Sequence, residues 1–165
     1  KAIESLIRTS DEYKGYISYL KYEIGLNYCA LMSNIDDEKA TIEMHHGPIL
    51  TLYDYCAIVT EALLKRKMPL NTFKVAQILM EEHYLNNVQI VMVSKTIHEL
   101  IHTGKIFVNL NQAWGNLNNF LSKWKDGITN EQIEVINEYI SLSKKFKSID
   151  NDYLEIDMIK EWGES

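Results

Sequence analysis

Cysteine is scarce, with only Cys29 and Cys56 in 165 residues. Their spacing fits neither a zinc knuckle nor a disulfide framework, so both are expected to pack in the core. Proline is as rare, limited to Pro48 and Pro69, and no internal repeat or low-complexity tract is present. Basic residues are outnumbered, 17 Lys+Arg against 23 Asp+Glu, for a formal net charge of −6. A stand-alone nucleic-acid binder usually presents a basic surface. A chain of this charge that met nucleic acid would need a local basic strip or a partner to deliver it. No apolar run approaches the roughly 18 to 20 residues of a membrane span, and the first residues lack the pattern of a signal peptide. The expectation is a soluble cytoplasmic protein with no membrane partner. What is plentiful is apolar residues, 46% against 24% charged, enough for a single globular domain over 1–165 with a real core.

Apolar positions at Tyr13, Ile17, Leu20 and Ile24 recur at spacings of three and four. They predict a long helix over 10–27, started by Ser10 and Asp11 and ending near Gly25. Residues 28–35, the acidic turn at 36–39 and the alternating run 40–46 predict a two-stranded hairpin, closed by Gly47-Pro48. Helical spacing returns over 51–65 and 71–84, with Pro69 between them, as an inserted helical pair. Residues 88–93 suit a buried strand. Ser94 is placed to cap a helix over 95–103 that Gly104 closes. Three further helices are predicted near 112–125, 130–145 and 153–162.

The chain has five histidines, and four fall in two pairs, His45 with His46 and His98 with His102. Neighbours on a strand point to opposite faces, so His45 and His46 cannot readily serve one ligand in the same way. Residues four apart on a helix share a face, so His98 and His102 can grip one ion. Three imidazoles and an open position make a sensible catalytic site for a divalent ion, leaving the fourth as a base. Any one of these residues alone is more often a hydrogen-bonded core histidine, and a structural zinc site would use the same donors. His83, outside both pairs, is expected to be a surface or core residue of the inserted helices.

The stretch Ile42-Glu43-Met44-His45-His46-Gly47-Pro48, followed by Val91-Met92-Val93-Ser94-Lys95-Thr96-Ile97-His98-Glu99-Leu100-Ile101-His102-Thr103-Gly104, resembles the core of the HNH (ββα-metal, His-Me finger) endonucleases of phage and colicin DNases. The resemblance covers about residues 28–105, with the helical pair 51–84 as an insertion and 106–165 as a helical C-terminal extension. It implies an α+β, mainly helical fold around a ββα-metal finger. It also implies a metal-dependent endonuclease that hydrolyses phosphodiester bonds of nucleic acid, DNA foremost. Carried over, His46 is the general base, while His45, His98 and His102 hold one divalent ion, Mg²⁺, Mn²⁺, Ni²⁺ or Zn²⁺. The motif's middle Asn, expected about nine residues before His98, meets Gln89; of the neighbouring Asn86 and Asn87, Asn87 is assigned.

The alternative is a non-catalytic subunit that keeps the finger as a scaffold within a phage or nucleic-acid-processing assembly, with a protein partner and a place in the host cell. The acidic balance and the long helical C-terminal third favour it. Positive charge near the motif is confined to Lys95, Lys105 and Lys39; downstream, Trp114, Trp124, Lys123 and Lys125 could stack bases or hold phosphates, although aromatic residues at helical spacing are core far more often than recognition surface.

Overall fold

A computed structural model describes residues 1–146 and is α+β and mainly helical. The helix predicted over 153–162 lies outside the described residues. Two helices open the chain, α1 (Ala2–Thr9) and α2 (Asp11–Tyr22), and Ser10 both ends the first and caps the second by accepting from the Tyr13 N–H at 3.1 Å. The first was not expected, and the second stops at Tyr22, short of Gly25. Then come β1 (Tyr28–Cys29), β2 (Met32–Asp36) and β3 (Ile42–His46). Next are the inserted helices α3 (Leu52–Lys65) and α4 (Thr72–Tyr84), followed by β4 (Ile90–Ser94) and α5 (Lys95–His102). The rest holds α6 (Leu117–Lys123) between two short 3₁₀ turns, and then α7 (Asn130–Lys145).

The predicted hairpin is corrected. Residues 28–36 fold on themselves as β1 against β2, and β3 pairs instead with β4, antiparallel, from Ile42 opposite Ser94 to His46 opposite Ile90. The reason lies in burial. β3 alternates between buried and half-buried positions, whereas β2 is exposed over most of its length and offers no apolar face. β4 is buried throughout and can cover β3 along all five residues. The small sheet is tied on where the Ala30 N–H donates to the Met92 carbonyl at 2.8 Å. The inserted helices leave at the end of β3 and return at the start of β4, so a long excursion separates two adjacent strands.

The helix expected over 112–125 is also shorter than its apolar pattern. Gly115 takes φ +106° and Asn116 caps α6, so the chain turns where the pattern alone runs on. The core is continuous, running from Ile7, Tyr16 and Leu20 through Tyr55, Ile58 and Leu79 to Ile90, Phe120 and Ile136.

Candidate metal centre

β3 sends Ile42, Met44 and His46 into the core and leaves Glu43 and His45 half-buried on its other face. β4 passes straight into α5 because the Ser94 hydroxyl, at the end of the strand, accepts from the Ile97 N–H at 3.4 Å. Ser94 faces Ile42 across the ladder, so α5 starts beside the first residue of β3 and packs against both strands. Ile97 anchors the helix in the core. His98 and His102, one turn apart, reach the face of β3 that carries Glu43 and His45.

The three imidazoles of His45, His98 and His102 converge. Each can offer a ring nitrogen such that all three atoms lie within 4.8 Å of one another. The Nε2 atoms of His98 and His102 are 3.0 Å apart, close to the separation of adjacent ligands on one transition-metal ion with bonds of about 2.0–2.1 Å. His45 stands edge-on to both, ring centres 5.0 Å from His98 and 5.1 Å from His102. The Nδ1 of His98 lies 2.6 Å from a Glu43 carboxylate oxygen. With that nitrogen donating to the carboxylate, Nε2 keeps its lone pair for an ion, the usual bracing of a metal-bound histidine. Burial first, then His98 and His102 and more distantly Arg8, lower the pKa of His45 to about 4. It is therefore neutral, as a ligand must be, at pH 7.

Gly47 matters to the same site. A Cβ built there would stand 2.8 Å from His45 Nε2, so the ring occupies the space a side chain would need.

His46, expected as the general base, is not brought to this cluster. It is buried on the opposite face of β3, its Nε2 3.0 Å from Nε2 of His83, its ring stacked at 6.1 Å on Tyr13. His83 Nδ1 lies 2.6 Å from the Leu79 carbonyl, which fixes it as the donor there and leaves its Nε2 to accept from His46. Burial lowers the pKa of both rings, His83 to about 4, with the Leu79 carbonyl and Glu82 opposing the shift in His83. Asn87 is equally remote in role. It is buried and donates to Glu82 at 2.8 Å, and Glu82, fully buried, is paired with Lys123. The brace at the end of β3 is instead backbone to backbone, the Gly47 N–H donating to the Gln89 carbonyl at 3.3 Å.

Two participants escaped the sequence reading. Glu43 had a signal, since it sits two residues from His45 on the same strand face. His83 had none: it meets His46 from a helix 37 residues away. Of the expected basic residues, Lys39 is engaged locally, donating to the Asn34 carbonyl at 2.7 Å.

A short antiparallel pair followed by a capped helix thus brings His45, His98 and His102 close enough that the three could hold one ion. A family model described as Bacteriophage G278-like virion protein matches residues 1–164, and the chain belongs to that family. No curated protein and no solved structure matches it. Among the described residues no helix is long and apolar enough to cross a membrane.

Proposed function

We propose that this virion-family protein is a non-catalytic subunit of a phage assembly that binds one divalent transition-metal ion through His45, His98 and His102. The carrying observation is the convergence of those three rings beside Glu43, while the fourth histidine of the two pairs is turned into the core. Imidazole donors favour Zn²⁺ or Ni²⁺ over Mg²⁺, which prefers oxygen ligands. Bound there, such an ion would cross-link β3 to α5 and supply Lewis acidity at its open position. Glu43 would hold His98 in its ligating tautomer and Gly47 would leave room for His45. A general base is a separate requirement, and His46, bonded to His83 and buried, is not poised to meet it.

The second reading, a metal-dependent endonuclease, is favoured by one feature: three protein ligands leave an ion open to solvent past the exposed His102. Incubating the purified chain with plasmid DNA and Mg²⁺, Mn²⁺, Ni²⁺ or Zn²⁺ separates the two. The proposal expects stoichiometric uptake of Zn²⁺ or Ni²⁺ without strand cleavage. Cleavage that disappears in His98→Ala would establish the nuclease and overturn the non-catalytic assignment.

A further inference from the structure

A concavity opens beside the start of β4, at the end of that strand away from α5. It encloses about 520 Å³, a size typical of small-molecule sites, which run from roughly 300 to 1,000 Å³. Its lining is unusual in kind. Five residues that carry carboxamides line it, Asn86, Gln89, Asn116, Asn118 and Asn119, together with Trp114, and no charged residue does among the described residues; the oxygens of Asn86 and Asn116 already accept, from Trp114 Nε1 and the Asn119 N–H. Gln89 is 2% exposed, and its Oε1 has no hydrogen-bond partner among the described residues.

The walls are held rigidly. Trp114 and Ile90 exchange backbone hydrogen bonds, 2.7 Å from the Trp114 N–H and 2.8 Å from the Ile90 N–H, and the Asn116 N–H donates to the Asn86 carbonyl at 2.7 Å. Gly115, at φ +106°, lets the loop lie so close that a Cβ would be 2.4 Å from the Val88 carbonyl oxygen. The half-buried Trp114 ring is steadied by its Nε1 donating to Asn86 Oδ1 at 3.5 Å.

We propose that this concavity binds a neutral saccharide. A carboxamide presents a donor and an acceptor side by side, which matches neighbouring hydroxyls that each donate and accept. The indole provides a flat surface for the apolar face of a sugar ring, combining an apolar body with a polar edge. A nucleobase would meet the same amides and the same ring. It arrives with phosphates, however, and the lining has no lysine or arginine to receive them.

The test is saturation-transfer NMR on the full chain. The probes are glucose, galactose, mannose, N-acetylglucosamine, N-acetylgalactosamine, maltose, lactose and chitobiose, with a tetradeoxyadenylate in parallel. At least one of the saccharides is expected to bind at millimolar concentration. Trp114→Ala and Asn118→Ala should each weaken it about tenfold, the equivalent of about 1.4 kcal/mol, whereas Trp114→Phe should retain it. Asn118 is only partly buried, so its variant keeps the test open if Trp114→Ala fails to fold. Absence of binding by all eight saccharides, binding unchanged in both alanine variants, or binding of the oligonucleotide alone would overturn the proposal.

Discussion

Glu43 touches His98 through a single carboxylate oxygen at 2.6 Å, so its influence on an ion would pass entirely through that imidazole. Such braces are commonly worth 10- to 100-fold in metal affinity. Glu43→Gln, which keeps the shape and removes the charge, should therefore weaken Zn²⁺ binding by about tenfold while leaving the melting temperature of the metal-free protein nearly unchanged. A competition titration against a chelating dye measures it, and unchanged affinity would remove Glu43 from the site. Gly47→Ala acts by contact: the new methyl group must push back the His45 ring, so metal affinity should fall severalfold. Its far-ultraviolet circular dichroism should match the parent. At this scale the local rules were informative, strand alternation separating His45 from His46 and helical spacing pairing His98 with His102, whereas the approach of His45 to that pair was an expectation from the HNH resemblance alone. For His46 the resemblance gave a general base, whereas its partner is His83, which comes from a helix distant in the chain and left no local signal.

Elements decide how those residues are aimed. α5 begins at a serine that ends a strand, and the cap sets where the helix leaves the sheet. Ser94→Ala should cost about 1 kcal/mol of stability and lower the affinity for Zn²⁺, since His98 and His102 both ride on that helix; thermal melts with and without Zn²⁺ report the two effects separately. Most helices were legible from apolar periodicity and cap residues: α3, α4, α5 and α7 fall within a residue or two of their expected spans. Strand pairing was not legible in the same way. Residues 28–35 and 40–46 are near neighbours in sequence, which favours a hairpin. The partner that can bury β3 is β4, and recognising that requires knowing that residues 47–89 loop out as a body of their own.

β3 and α4 are joined by the His46–His83 pair, and its chemistry reaches the whole fold. Around His83 stand the Leu79 carbonyl and Glu82 from α4, Tyr13 and Tyr16 from α2, and His46 from β3. With a folded pKa near 4, the ring stays neutral while the unfolded chain takes a proton below about 6.5. Stability is therefore fully present above pH 6.5 and declines as the pH falls toward 4. Urea melts of the metal-free protein between pH 7.5 and 4.5 should show a falling midpoint, and His83→Gln should flatten that slope; an equal slope in both would place the acid sensitivity elsewhere.

The phage virion family model matches residues 1–164, so His45, His98 and His102 and the helices around them all fall within the matched stretch. The most direct measurement is calorimetric titration of Zn²⁺ into the parent protein and into the double variant His98→Ala/His102→Ala. One ion per chain in the parent, and none in the double variant, is the predicted result. No binding by the parent, or undiminished binding by the double variant, would contradict the assignment of His45, His98 and His102 as a metal site.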